Sequence, residues 1–184
     1  MRATALPTFL EQVNPTLGET ILDPACGTGG FLTCTIDNLR KQVKTPDEEE
    51  RLQRSVLGIE KKPLPHLLCV TNMLLHGIDV PTNVRHDNTL ARPLASYGPK
   101  DRVDCIITNP PFGGMEEDGI ETNFPAKFRT RETADLFLVL IMHLLKDGGR
   151  AAVVLPDGFL FGEGIKSRIK EKLLKCILEK VKLW

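Results

Sequence analysis

Short apolar runs alternate along the chain with longer stretches in which apolar residues recur every three or four positions. That is the rhythm of a mostly parallel sheet with helices on both faces, an α/β fold of Rossmann-like type. Residues 19–22, 56–59, 83–85, 103–108 and 151–155 read as strands. The clearest is 103–108, and the small or branched residues Ala151, Ala152, Val153 and Val154 suit a buried parallel position. Helices are expected over 29–41, where Phe31, Leu32, Ile36 and Leu39 fall near helical spacing, over 64–76 between Pro63 and Gly77, over 133–145, and over 164–180. In the last of these Ile165, Ile169 and Leu173 lie four apart with Lys166, Arg168, Lys170 and Lys172 between them, the pattern of an amphipathic helix with a solvated basic face. Residues 45–54, with Asp47, Glu48, Glu49 and Glu50 in a row, read as a solvated loop or helix face. Residues 175–184 are a poor candidate for a sixth strand, so the sheet is expected to be incomplete at its C-terminal edge.

One connection is longer than compact domains usually allow. Residues 112–131 carry Gly113, Gly114, Gly119 and Pro125 with little periodicity, and loops beyond about 12–15 residues tend to be functional or disordered. Composition narrows the class. The chain has 184 residues, 41% hydrophobic and 26% charged, which fits one globular domain over 1–184. No apolar run approaches the ~20 residues needed to cross a bilayer, and the first 13 residues lack a signal-peptide pattern, so a cytoplasmic protein is expected. Five cysteines without a C-x-x-C pair argue against both a disulfide framework and a zinc site. The four histidines form no i, i+4 pair, and no metal ligation is expected. Twenty-four Lys+Arg balance 24 Asp+Glu, which argues against the broad basic face of a stand-alone DNA binder.

Three places carry chemistry. Asp23-Pro24-Ala25-Cys26-Gly27-Thr28-Gly29-Gly30-Phe31 follows the first strand and opens the first helix, where glycines let the backbone approach a ligand and amides are free. Its glycine spacing is not the G-x-G-x-x-G that admits a pyrophosphate, and an acid at the strand end suits a cationic group better than a phosphate. Glu60 ends the second strand, where a carboxylate can accept both ribose hydroxyls of a nucleoside, and Asp87 follows the third, where it could accept from an adenine amino group. Each also reads plainly as a strand-end or turn acid. The third place is Asn109-Pro110-Pro111-Phe112, closing the fourth strand. Two prolines fix the backbone and lack amide hydrogens, so the Asn109 side-chain oxygen and the Pro110 carbonyl can both accept from one NH2 group while Phe112 offers a face for stacking.

These segments, together with Gly58-Ile59-Glu60-Lys61 and the run from Asn72 to Asp79, resemble the S-adenosylmethionine-dependent N6-adenine DNA methyltransferases. The resemblance is strongest to the modification (M) subunits of type I restriction-modification systems. It covers about residues 14–175 and includes Thr130 to Phe137 and Val153 to Gly158. It implies that Asp23, Ala25, Gly27 and Gly29 hold the methionine part of S-adenosylmethionine, Glu60 its ribose and Asp87 its adenine. Asn109 and Pro110 would then hold the amino group of a flipped adenine, with Pro111 and Phe112 against the base. The implied partners are DNA, a specificity (S) subunit and a restriction (R) subunit, with no membrane. The family's upstream helical region, its aromatic-Thr-Pro segment and its seven-stranded sheet are not all found, so a core truncated at both ends is expected. Two other readings stay open: a protein-glutamine N5 methyltransferase, which presents a similar turn to an amide, and a cofactor-binding or interaction module without turnover.

Overall fold

The computed structural model describes residues 5–179 and 182–183. Its centre is a six-stranded sheet in the order β3-β2-β1-β4-β5-β6, parallel at every pairing. The strands are β1 (Ile21–Asp23), β2 (Val56–Glu60), β3 (Val84–His86), β4 (Val103–Thr108), β5 (Leu145–Val153) and β6 (Lys182–Leu183). The helices are α1 (Ala5–Val13), α2 (Gly30–Arg40), α3 (Pro46–Ser55), α4 (Pro63–Leu75), α5 (Thr133–Leu144), α6 (Asp157–Phe161) and α7 (Ile165–Glu179). The chain runs outward from β1 to β3 on one side, then returns to place β4 beside β1 and runs outward on the other. β1 and β4 therefore flank the point where strand order reverses, which is where doubly wound sheets bind their ligands.

Alternation along the strands builds the two faces. Ile21, Cys105, Ile107 and Ala152 point to a core shared with Leu10 and Val13 of α1, Phe31 and Leu39 of α2 and Leu52 of α3. Leu22, Ile106, Ala151 and Val153, one residue out of phase, point to the opposite core with α5, Phe159 and Ile169. Cys26, Leu32, Ile36, Val56, Cys69 and Met73 extend the α2 side under α4. Helix α5 is apolar nearly all round because the sheet lies on one side and α7 and short 3-10 turns cover the other.

The structure corrects several expectations. β1 begins two residues later than expected and includes Asp23. Residues 45–54 are largely helix α3: Thr45 accepts from the Glu48 amide, the Glu48 carboxylate accepts from the Thr45 amide, and Pro46 sits at the first helical position. The acidic run thus lies at the helix N-terminus, where the peptide dipoles favour negative charge. Helix α1 was not among the helices expected from the sequence. The poor candidate for a sixth strand does pair with β5, through Lys182–Leu183 alone; Lys180, Val181 and Trp184 lie outside the described residues. The Asp147-Gly148-Gly149 turn lies within β5, whose pairing with β4 shifts register there and resumes at Arg150. The basic face of α7 is not wholly solvated, since Lys166 binds the buried carboxylate of Asp135 at 2.7 Å and also meets Glu132.

Arg150 ties β5 to the carboxyl end of α1 and to the segment that leads into β1. Its guanidinium grips Glu19 with two bonds of 2.8 and 2.7 Å and donates to the carbonyls of Val13 and Asn14. Hydrogen bonding from Arg150 holds the Glu19 carboxyl down at about 2, against the usual 4.5. A depressed acid contributes stability above its unfolded pKa that is lost as pH falls through the folded value. Glu19→Gln is expected to cost about 2–3 kcal/mol at pH 7 in urea denaturation and to flatten the stability loss between pH 4.5 and 2. An unchanged urea midpoint at pH 7 would contradict this role.

Candidate functional site

The carboxyl ends of β1 and β4 are joined by one buried bond. Asp23 is 2% exposed, accepts from the Thr108 hydroxyl at 2.7 Å and from the Ala25 amide at 3.1 Å, and fixes the glycine turn against the strand that leads into Asn109. Burial pushes the Asp23 carboxyl up to about 7, and the Glu60 charge adds to the shift. Thr108 was not singled out in the sequence. Its signal was a hydroxyl closing an apolar strand beside the first acidic turn.

Two cavities open at this end of the sheet, with Ala25 in the wall of both. The larger, about 250 Å³, is lined by Asp23, Cys26, Gly27, Thr28, Phe31 and Asn109 among others. Asn109 is one of its lining residues, and the Asn109 Oδ1 is buried without a hydrogen-bond partner. A native structure rarely leaves such an acceptor unpaired, and an ordered water, an ion or a catalytic role accounts for those that are. The smaller, about 50 Å³, is lined by Glu60, Lys61, Asp87, Pro111, Glu116 and Phe137 among others. Glu60 accepts from the Gly27 amide at 2.9 Å and from the Lys62 amide at 2.7 Å, so the second strand end is also tied to the glycine turn. Asp87 is exposed, and its amide bonds to the Glu60 carbonyl.

The expected residues do not all share one place. Asp23, Ala25, Gly27 and Asn109 meet in the larger cavity, whereas Ala25, Glu60, Asp87 and Pro111 meet in the smaller. Pro110 is buried, and Phe112 is 46% exposed and borders neither cavity. Gly29 also borders neither. Its amide bonds to the Cys26 carbonyl, it has φ 86°, and a Cβ there would stand 2.7 Å from the Cys69 sulfur on α4. Gly29 is therefore a packing glycine rather than part of the cavity wall, while Gly27, with φ 55°, faces open space. The turn is braced from α4, where the Asn72 side chain donates to the Thr28 carbonyl at 2.8 Å.

A family model described as N-6 DNA Methylase matches residues 5–181. The chain belongs to this family. The EcoEI methylase subunit of a type I restriction enzyme from Escherichia coli is 62% identical over 166 residues, covering 90% of this chain and 34% of that subunit. A crystal structure of a modification subunit from Vibrio vulnificus YJ016 superposes with a TM-score of 0.88 at 50% identity, covering 94% of this chain and 37% of that one. A structure concerned with complex assembly and conformational transition of the type I R-M system gives a TM-score of 0.88 at 40% identity, covering 95% of this chain and 35% of the other. The chain spans about a third of the length of the curated relatives it matches.

The two glycines of this N-6 methylase turn separate fold from ligand in one experiment. Gly29→Ala is expected to cost about 2 kcal/mol or more in urea denaturation, from left-handed strain and the collision with Cys69. Gly27→Ala should cost about 1 kcal/mol, from strain alone, yet weaken ligand binding at the larger cavity. Equal losses of stability would contradict the division.

Proposed function

We propose that this chain is the catalytic core of a site-specific DNA adenine-N6 methyltransferase that uses S-adenosylmethionine. The observation that carries this reading is the orphaned Asn109 Oδ1, buried in the wall of the same cavity as Asp23 and Gly27. The residues fit such a cofactor: the buried Asp23 carboxyl gains its charge most readily when a cation stands beside it, and Gly27 leaves the cavity wall without a side chain. Asp23, Ala25 and Gly27 would hold its methionine part, Glu60 its ribose and Asp87 its adenine, with Gly29 supporting the turn from behind. The chemistry that the cofactor brings is a methyl group made electrophilic by a sulfonium.

The chain's own residues do the rest. Asn109 accepts one hydrogen of the target amino group and the Pro110 carbonyl the other, which localises the nitrogen lone pair toward the methyl donor. Pro110 and Pro111 cannot supply competing donors, and they hold Asn109 at the strand end. Phe112, half exposed beside the turn, offers a stacking face to a base extruded from the duplex. Placement and aligned dipoles supply the rate without a strong general base.

The relatives' identity as restriction-enzyme methylase subunits favours DNA over a protein glutamine as the methyl acceptor. A specificity subunit that reads the DNA sequence, and a restriction subunit, are the partners proposed, in keeping with balanced charge that leaves much of the DNA grip to another chain. Among the described residues no helix is long and apolar enough to cross a membrane, and a cytoplasmic site of action is proposed with the rest.

With labelled cofactor, DNA and a specificity subunit, label should appear as N6-methyladenine, and Asn109→Ala should lower the transfer rate by about 10³-fold. Label on a protein glutamine would overturn the assignment, and cofactor binding without transfer under any pairing would leave a binding module. Because a bound cation favours ionised Asp23, cofactor affinity should rise from pH 6 to 7.5, with Asp23→Asn flattening the profile. Calorimetry showing affinity independent of pH in the parent chain would contradict this.

A further inference from the structure

The smaller cavity is too tight for the moiety assigned to it. At about 50 Å³ it holds a few water molecules, whereas small-molecule pockets run to several hundred Å³. One wall comes from the end of β2, with Glu60 and Lys61, and from Asp87, Asn88 and Thr89. The facing wall comes from Pro111 and Glu116. Across the gap between them stands an ion pair: Lys61 Nζ lies 3.3 Å from Glu116 Oε2 and 3.2 Å from Glu117 Oε1.

The two halves of that pair are unequal. The Glu116 side chain is 9% exposed and its other oxygen accepts from the Thr133 hydroxyl at 3.1 Å. Its backbone is fixed as well, since the Glu116 amide donates to the Arg131 carbonyl at 2.9 Å and the Arg131 guanidinium donates back to the Glu116 carbonyl. Lys61, by contrast, is 46% exposed on a long flexible stem. A fixed carboxylate and a mobile ammonium facing one cavity have the form of a catch with one moving part.

We propose that Lys61 is a gating residue that closes the adenosine side of the cofactor cleft onto Glu116 and must swing out before a nucleoside enters. The proposal rests on the S-adenosylmethionine reading above. Lys61 follows Glu60 directly, so the swing also frees the approach to the carboxylate assigned to the ribose. On the far wall Glu116 lies only a few residues beyond Pro111, so the catch links the nucleoside side of the cleft to the turn that carries Asn109.

The test uses the full chain with S-adenosylhomocysteine as the probe, followed by surface plasmon resonance, and hydrogen exchange of residues 115–118 without any ligand. Lys61→Ala should speed probe association about tenfold and amide exchange several-fold. Glu116→Gln should do so to a smaller extent, and Lys61→Arg should stay near the parent. Unchanged or slower association in Lys61→Ala overturns the gate, slower association marking Lys61 as a ligand contact. Should the parent bind no probe while exchange still responds to Lys61→Ala, the cofactor reading fails, and the gate with it, and the pair is a brace alone.

Discussion

A single buried hydrogen bond, from the Thr108 hydroxyl to the Asp23 carboxylate, sets the geometry on which the site depends. β1 and β4 are neighbours in the sheet, but pairing alone fixes backbone, not the direction in which each chain leaves its strand. The bond does so for both exits. It pins the glycine turn on one side and leaves Asn109, the next residue after Thr108, at the cavity wall on the other. Burying a carboxylate carries a desolvation penalty, visible in its raised pKa, that neither packing nor sheet pairing requires. Groups shifted in this way cluster at functional sites.

The surrounding side chains divide their work along the same line. Glu60 and Asn72 reach the glycine turn from β2 and α4 and hold its backbone, while Gly29 lets α4 approach closely enough for that contact. Phe124 and Phe128 are buried in the α5-side core, so the long connection after Phe112 is packed and ordered along part of its length. The ion pair between Lys61 and Glu116 joins the end of β2 to this connection. Phe112 and Lys61 are both 46% exposed.

Much of this was legible in the sequence because strands buried on both faces leave a strong apolar signature. Residues 103–108 were read with their observed boundaries, and the turn after them was read from chemistry that few other arrangements explain. The glycine turn was placed correctly, yet Gly27 and Gly29 could not be told apart, since only the position of Cys69 on a distant helix shows which one packs. Residues 45–54 were left between a solvated loop and a helix face, although the capping pair that decides for helix α3 was present. Glu116 gave no signal at all. Its role depends on Lys61 and Thr133, which only the folded chain brings near, and an acid in a glycine-rich loop reads as solvated.

Carboxyl-carbon NMR on chain labelled at aspartate measures the central group directly. A pH titration of the Asp23 resonance, assigned by its loss in Asp23→Asn, should give a midpoint near 7 in the free chain and a fall to well below that value when S-adenosylmethionine is bound. A midpoint near the ordinary 3.8 in the free chain, unmoved by the cofactor, would show that Asp23 is neither the buried tie between the strands nor the partner of a bound cation.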